Sequence, residues 1–419
     1  MNRFYKWLTI ILALLLPWHG AITVFLPDFA RYWKEIILLL FFAGFCWEVV
    51  KSKQIPLTPF LKGGSKELFF AGLFLLYGLV LVAFSAEKGT ALVAFRYLGL
   101  GLAVYLLFSL LAEKIAGFRR DFFKNFTKPF IFSAVLSTLF GAWIKFGNGA
   151  EIARKFYSQT ISSWVPGQKI PLWHEAGDFI RLQGASSGPI EFSHILLVAL
   201  FLTTISRIDR VYKTIIYAIL WFGIYQSHSR AAILAGLLIF LFNFISPLIK
   251  GARGICKKKI SIIFSIIFIF FAGFWGIKNT NFLQRAGTSD HFTRPIEAAQ
   301  FGLDNIFSNN LGKLGPAARA KNLREKNDDK ALIAENVFVD VFAQMGIIGL
   351  ILYLGFFWAL WQNLRPNFRG FLLVALLTMN LATIFDMTPV AIAYFLVFWL
   401  GVKKNCNCHY IKRSAKLTE

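Results

Sequence analysis

Cysteine is scarce in this 419-residue chain, and its four copies are poorly placed for disulfide bonds. Cys46 lies inside an apolar run, whereas Cys256, Cys406 and Cys408 lie in basic segments. Disulfide frameworks are typical of small secreted domains, not of such positions. Cys406 and Cys408 stand beside His409, but a zinc site of this kind needs a second pair of ligands. The sequence therefore predicts neither disulfides nor a bound metal, and it indicates no cofactor.

Charged residues are also few, and acidic residues are fewer than basic ones. Asp, Glu, Lys and Arg make up 16% of the chain, whereas 57% is hydrophobic and the mean hydropathy is +0.58. This composition excludes an ordinary soluble domain and indicates an integral membrane protein. The net charge of +23 would suggest nucleic acid in a soluble protein. Here the Lys and Arg residues lie mainly in short loops between apolar runs, where the positive-inside rule and contact with membrane lipids explain them, so no nucleic-acid partner is predicted.

Apolar runs long enough to cross a bilayer recur along the whole chain, which predicts an all-α polytopic membrane protein rather than a β-barrel. About twelve spans are predicted, at residues 7–26, 35–50, 68–84, 90–111, 129–146, 190–206, 214–226, 231–249, 260–277, 335–361, 370–385 and 390–402. The first resembles a signal sequence but is too long for one, so we interpret it as a retained helix. The alternation of basic loops predicts that both termini are cytoplasmic. No internal repeat supports an inverted-repeat transporter.

The predicted topology gives one transmembrane domain, residues 1–419, with two long polar loops on the outer face. These loops are residues 147–189 and 278–334, and a basic cytoplasmic tail follows at 403–419. The unusual polar residues all fall on the outer side or within two turns of it. They are Arg181, Glu191, His194, His228, Arg230, Arg294 and Glu335. If they converge, they form a site that combines fixed cations with a candidate base.

Arg230 is predicted at the outer N-terminus of the eighth span, directly after two serines that can cap the helix. A cation at that position opposes the helix dipole unless an anion binds both the guanidinium and the free N–H groups, which favours a phosphate or pyrophosphate ligand. The alternative is an arginine that reaches for lipid headgroups. Arg181 begins a Gly- and Ser-rich segment that would let backbone approach a ligand. Glu191 and His194 share a face one turn further along, as part of the site or as partners of each other.

Glu335 is predicted to open the tenth span, where a carboxylate could take a proton from an attacking hydroxyl group. The alternative is a structural acid that caps the helix. Asn336, Asp340 and Gln344 recur every fourth residue and form one polar stripe on the predicted helix. Polar residues inside a membrane mark functional sites or join neighbouring helices. We expect Asn336 and Asp340 to orient Glu335, and Gly346 and Gly349 to permit close packing.

The segment from Glu335 to Gly349 resembles the signature of the O-antigen ligase and polymerase superfamily, which is His-Asn, nine residues and Gly-x-x-Gly. Asn336, Gly346 and Gly349 fit this pattern, and Glu335 takes the histidine position. The Ser-Arg pair that ends at Arg230 and the arginine-bearing loop at 181–184 are also similar to the family. The resemblance covers most of the chain. It implies a glycosyltransferase C-type bundle in the bacterial inner membrane.

The resemblance also implies a function. Family members transfer a glycan, without a metal, from undecaprenyl pyrophosphate to an acceptor on the periplasmic face. Arg181 and Arg230 would hold the pyrophosphate and Glu335 would be the base. We also predict Arg294 as a pyrophosphate ligand and His228 as a supporting member of the site. The acceptor would be a glycan, a lipid or a protein. Glu335 in place of histidine weakens the assignment to a lipid A core ligase more than the assignment to a glycosyltransferase.

Two alternatives stay open from the sequence. Within the same superfamily, the chain could be a polysaccharide polymerase, or it could glycosylate proteins. In a different class, it would be a flippase or transporter of lipid-linked glycans. A transporter is expected to carry ionisable residues deep in several helices, and Arg96 and Asp340 are the only deep ones that the sequence offers.

Overall fold

A computed structural model describes residues 1–26, 32–52, 65–157, 174–176, 179–251, 290–304, 306, 309–324, 332–379 and 387–403. Helices dominate these residues, and one short antiparallel hairpin pairs His174 with Arg181. The helices are α1 (Arg3–Leu15), α2 (His19–Phe25), α3 (Trp33–Ser52), α4 (Lys66–Ala83), α5 (Lys88–Lys114), α6 (Phe118–Phe146), α7 (Gly149–Tyr157), α8 (Pro189–Ile205), α9 (Arg210–Gln226), α10 (Arg230–Gly251), α11 (Asp290–Asp304), α12 (Gly315–Arg324), α13 (Val337–Asn363), α14 (Pro366–Met379) and α15 (Thr388–Gly401). The strands are β1 (His174–Ala176) and β2 (Phe179–Arg181).

Length and hydropathy make the chain a helical membrane protein. Among the described residues, five helical segments are long and apolar enough to cross a membrane. They are Arg3–Phe25, Lys66–Ala83, Lys88–Lys114, Phe118–Phe146 and Val337–Asn363. Shorter apolar helices are Pro189–Ile205, Arg230–Phe242, Pro366–Met379 and Thr388–Gly401. Each predicted span that falls on described residues is helical over most of its length, whereas the span predicted at 260–277 and the tail at 404–419 lie outside the described residues.

The fifth predicted span begins too late, because α6 starts at Phe118 rather than near residue 129. The basic stretch before residue 129 was predicted as a cytoplasmic loop, but it forms the first turns of this helix. Phe118, Phe122, Phe126 and Phe130 recur every fourth residue and are all buried. The rings of Phe122, Phe126 and Phe130 stack in sequence with centroids 5.2 and 5.1 Å apart. An apolar stripe between lysines and arginines therefore extends the helix.

Two helices form the centre of the bundle. Every residue of α15 is buried, as is nearly every residue of α8, and the two helices pack against each other. Trp399 lies between Phe108 and Phe122, with ring centroids 5.4 and 5.3 Å away. Helices in a membrane associate through such close packing rather than through hydrophobic exclusion from water. The start of α8 is thus a rigid support for the loop that carries Arg181.

Several helix ends meet where α13 begins, and we call this the Glu335 end of the bundle. The side-chain amide of Asn309 donates to the carbonyl oxygen of Leu81, near the end of α4, over 2.6 Å. Gly312 lies against Thr90, in the first turn of α5. Within the long segments that were predicted as outer loops, the described residues include α7 and the hairpin in the first, and α11 and α12 in the second.

Candidate functional site

The turn that joins α9 to α10 holds Arg181 in place. Its Nε donates to the carbonyl oxygen of Ser227 over 2.8 Å, and the next residue, Leu182, donates its amide to the carbonyl oxygen of Gln226 over 2.8 Å. The end of β2 is therefore fastened to the turn by two hydrogen bonds. Because Arg230 begins α10 three residues after Ser227, this places both arginines at one turn.

Four basic side chains from three parts of the chain converge there, and we call them the basic cluster. They are Lys145, Arg181, His228 and Arg230. Burial lowers the pKa of Arg181, and the nearby charge of Arg230 lowers it further. Burial also lowers the pKa of His228, with further contributions from Lys145 and Arg181. The structure thus brings the predicted residues Arg181, His228 and Arg230 together.

Lys145 is a member of the basic cluster that the sequence did not reveal. It lies at the end of α6, and its ammonium donates to the side-chain carbonyl oxygen of Gln226 over 2.7 Å. A lysine at the end of a membrane helix is ordinarily an anchor that reaches for headgroups, so its position carries no signal of its own. Only the packing of α6 against α9 places it at the turn that holds Arg181.

Glu335 does not open the helix, so that part of the prediction is wrong. The N-cap of α13 is Asn336, whose Oδ1 accepts from the amides of Phe338 and Val339 over 3.0 and 3.1 Å. Glu335 precedes the cap with a φ of 52°. A non-glycine residue in this left-handed region costs about 1–2 kcal/mol. Asparagine is the better cap because its short side chain reaches these amides from an extended backbone, as glutamate does not.

The carboxylate of Glu335 pairs with Arg294 of α11. Arg294 Nη1 lies 3.0 Å from Glu335 Oε1, and the two side chains are 39% and 20% exposed. A pair with this exposure contributes at most about 1 kcal/mol to stability. The ion pair instead fixes where the carboxylate lies, because it holds Glu335, whose backbone is strained, beside the guanidinium of Arg294. The structure therefore joins the predicted base to one of the predicted phosphate ligands.

The polar stripe of α13 makes its described hydrogen bonds within its own helix and to the segment before α12. Asn336 is occupied by capping the helix, and Asp340 accepts from Gln344 Nε2 with both carboxylate oxygens at 3.0 Å. Gln344 Oε1 in turn accepts the amide of Gly312 over 3.2 Å. The stripe therefore contacts the segment that leads into α12.

Gly346 and Gly349 mark a break in α13 rather than a smooth packing face. Gly346 has φ 68° and ψ −170°, a conformation that is essentially restricted to glycine. The carbonyl oxygen of Ile306 approaches it so closely that a Cβ at this position would lie 2.6 Å away. The carbonyl of Met345, just before the break, accepts from the hydroxyl of Tyr77 over 3.2 Å. A Cβ on Gly349 would lie 2.4 Å from the Cβ of Met345, so the bend also crowds this second glycine.

Glu191 and His194 lie in the first turns of α8, but they do not bond to each other as one reading of the sequence expected. Glu191 accepts the amide of Ser187 over 3.3 Å. His194 is fully buried, and its Nδ1 lies 3.1 Å from the hydroxyl of Tyr394 on α15. His194 therefore joins the two central helices, while Glu191 fastens the loop that follows Arg181.

A second group of ionisable side chains, buried or partly buried, lies near the start of α8, and we call it the buried ion network. Its members are His19, Lys34, Glu35, Arg96 and Glu191. Lys34, only 2% exposed, lies 3.5 Å from Glu35, which also pairs with Arg96, and Glu191 is within electrostatic range of Lys34. Buried charges are stable only when they are paired in this way.

The sequence indicated only Arg96 and Glu191 from this network. Lys34 and Glu35 stand at the start of α3, where charged residues ordinarily mark the end of a span. Only the three-dimensional packing of α3 against α5 makes them partners of Arg96.

No protein-family model and no curated protein sequence matches this chain.

Proposed function

We propose that this protein is a membrane glycosyltransferase, similar to the O-antigen ligases, that uses a glycan carried on a polyprenyl pyrophosphate. The observation that carries the proposal is the basic cluster. Arg181 and Arg230 are 49 positions apart in sequence, yet they are placed side by side at one turn, although each charge raises the cost of the other. A bound anion with two charges would stabilise both arginines. A pyrophosphate offers oxygens to both guanidinium groups at once.

In the proposed reaction, Glu335 takes the proton from an acceptor hydroxyl group. The hydroxyl oxygen attacks the anomeric carbon of the donor, and a new C–O bond forms. The bond from that carbon to the pyrophosphate oxygen breaks, and its electron pair leaves with the pyrophosphate. Arg181 and Arg230 stabilise the charge that develops there, the kind of electrostatic contribution that is often the largest in catalysis. Arg294 holds the Glu335 carboxylate in position until the acceptor arrives.

The proposal includes the full topology predicted from the sequence. This topology has about twelve spans in the bacterial inner membrane, both termini in the cytoplasm and the Glu335 end in the periplasm. The five apolar helices of spanning length support membrane embedding. The acceptor is a glycan, a lipid or a protein with a free hydroxyl group. A polymerase of the same superfamily would differ only in using a second lipid-linked glycan as acceptor.

The buried ion network favours a second candidate, a flippase or transporter of lipid-linked glycans. Lys34, Glu35, Arg96 and Glu191 come from α3, α5 and α8, so ionisable groups of several helices meet inside the bundle. Charged residues in such places are common along transport pathways. Lys34 and Arg96 also repel each other, but Glu35 and Glu191 balance their two charges within the network, which fits a structural role equally well.

Donor consumption by the purified protein in proteoliposomes distinguishes the two functions. A fluorescent polyprenyl-pyrophosphate glycan is supplied together with an acceptor glycan, and both the carrier and the sugar are followed. A transferase releases polyprenyl pyrophosphate and lengthens the acceptor. A transporter moves the intact donor to the other leaflet without cleavage, and that result would overturn the proposed function.

A further inference from the structure

Residues 290–304 and 309–324 lie against the first turns of α13, and we call α11, residues 309–314 and α12 the cap. Small and branched apolar side chains from the cap and from α13 form a separate core. Its buried members are Ala298, Leu314, Ala334 and Ala343. Ala298 belongs to α11 and Ala343 to α13, so the core ties the helix that carries Arg294 to the helix that follows Glu335.

A hydrogen bond between the cap and α13 lies beside this small core, at Gln344, the residue after Ala343. The amide of Gly312 donates to Gln344 Oε1 over 3.2 Å, while the other end of the same side chain, Nε2, donates to both oxygens of Asp340. The amide group of Gln344 is therefore oriented by Asp340, with its nitrogen toward the carboxylate and its oxygen toward the cap. Both α13 side chains are 2% exposed, so little water competes for these bonds.

The start of α12 rests on the same two side chains. Gly315 has a φ of 74°, and a Cβ there would lie 3.2 Å from Gln344 Nε2 and 3.6 Å from Asp340 Oδ1. Its amide donates to the carbonyl oxygen of Leu332 over 2.9 Å. Asp340 thus faces the N-terminus of α12, where a helix dipole favours a negative charge. Leu332 is three residues before Glu335, so this hydrogen bond also fixes the segment that leads to Glu335.

We propose that Asp340 and Gln344 are positioning residues that latch the cap onto α13 and so hold Arg294 against Glu335. The assignment of a catalytic consequence rests on the proposed function, whereas the latch itself rests on the contacts above. A polar stripe on a membrane helix ordinarily bonds to a neighbouring membrane helix. This stripe instead bonds to a backbone amide of the cap. Loosening it would let Arg294 and Glu335 separate without removing either residue.

The decisive variants reverse the donor and acceptor within the latch. Gln344→Glu places two carboxylates face to face and breaks the contact with Asp340. In the double variant Asp340→Asn with Gln344→Glu, the new amide donates to the new carboxylate, which can still accept the amide of Gly312. The full-length protein in nanodiscs is used throughout. Ile351→Ala, on the same helix but 57% exposed on its outer surface, is the matched control.

Hydrogen–deuterium exchange of the peptide that covers residues 309–316 reports the latch directly. We expect exchange about tenfold faster in Gln344→Glu, because roughly one buried hydrogen bond is lost. In the double variant the exchange rate should return toward that of the unaltered protein. Ile351→Ala should exchange at that unaltered rate. Equal exchange in the unaltered protein and Gln344→Glu would overturn the latch, as would a double variant as fast as the single one.

Transfer kinetics report the positioning role. Gln344→Glu should lower kcat about tenfold with the donor KM changed less than about twofold, because orientation is lost while donor binding is retained. The double variant should recover kcat. Unchanged kcat in a variant with fast exchange would overturn positioning. If the proposed function is wrong, the unaltered protein transfers no glycan. The exchange experiment then still tests the latch on its own.

Discussion

Glu335 is the residue on which the proposed chemistry depends, because its carboxylate is the proposed base. Its backbone is strained, its side chain contacts Arg294, and the helix after it is capped by a different residue. An acid that served only as a cap would occupy the Asn336 position and bond to the first amides of α13. The capping of α13 therefore does not depend on the Glu335 carboxylate.

Glu335→Gln tests this assignment with little change in shape. Glutamine can still accept from Arg294, but it cannot take a proton from a hydroxyl group. We expect kcat for glycan transfer to fall by about 10²–10⁴. Glu297→Gln, at an exposed position on α11, is the matched control and should transfer normally. Measurement of initial transfer rates decides the matter, and normal transfer by Glu335→Gln would contradict the assignment.

His228 gives the basic cluster a pH dependence. Its pKa lies below the usual 6.5, mainly through burial, so the ring is neutral at pH 7 and gains a charge only as the pH falls below 6.5. A pyrophosphate linked at both ends carries one fixed charge on each phosphate across this range. Binding of such a diester to the purified protein should therefore strengthen only as the pH falls below 6.5.

His228→Asn is the comparison for that titration. It removes the ionisable ring and keeps a polar side chain that tolerates the left-handed backbone at this position, where φ is 50°. Its diester affinity should stay flat over the same pH range. The same increase in His228→Asn as in the unaltered protein would assign the effect to another group.

At the scale of single elements, the start of α13 depends on Asn336. Asn336→Ala removes an acceptor for two helix amides and should cost about 1 kcal/mol of local stability. Exchange of the amides of Phe338 and Val339 should then accelerate about fivefold. Asn336→Asp keeps the acceptor and should exchange at the original rate. Equal rates in the alanine variant and the unaltered protein would show that the cap contributes nothing.

The break in α13 makes a second prediction for an element. In Gly346→Ala, the alanine would have to adopt a backbone conformation that favours glycine, and its Cβ would clash with the carbonyl oxygen of Ile306. We therefore expect the free energy of unfolding to fall by several kcal/mol. Ile306 and Gly312 should lose their contacts with α13 and exchange faster. Gly89→Ala is the matched control, because a Cβ at Gly89 meets nothing within 4 Å. A Gly346→Ala protein as stable as the control would mean that the break is not required.

How far these elements could be predicted from sequence differs from case to case. Long apolar runs predicted most helices, since membrane spans have a strong local signal. The first turns of α6 were missed because lysines and arginines hid the four-residue spacing from Phe118 to Phe130. The start of α13 was placed two residues early, although the preference of asparagine for the N-cap position was visible in the sequence.

The candidate site was predicted only in part, for a physical reason. His228 and Arg230 were found because they stand beside predicted helix ends, and Arg181 because it begins the Gly- and Ser-rich segment before the sixth predicted span. Lys145 was not, because it became a neighbour of Gln226 only through the packing of α6 against α9. The pairing of Arg294 with Glu335, 41 positions later, is likewise a product of tertiary structure.

For the whole molecule, we predict a division of labour among the groups of charges. In the proposed function the basic cluster would bind the leaving group, Glu335 and Arg294 would act on the acceptor, and the cap would orient that pair. The buried ion network, by contrast, joins α3, α5 and α8 in the interior.

Release of polyprenyl pyrophosphate by the purified protein tests directly whether it transfers a glycan from this carrier and whether Arg230 binds the pyrophosphate. It is measured for the unaltered protein, for Arg230→Gln and for Arg120→Gln, a matched change at a side chain that is 86% exposed at the opposite end of α6. The account predicts release by the unaltered protein and by Arg120→Gln, and release about 10²–10³ times slower by Arg230→Gln. Equal release by all three proteins would contradict the role of Arg230, and no release by the unaltered protein would contradict the proposed glycosyltransferase.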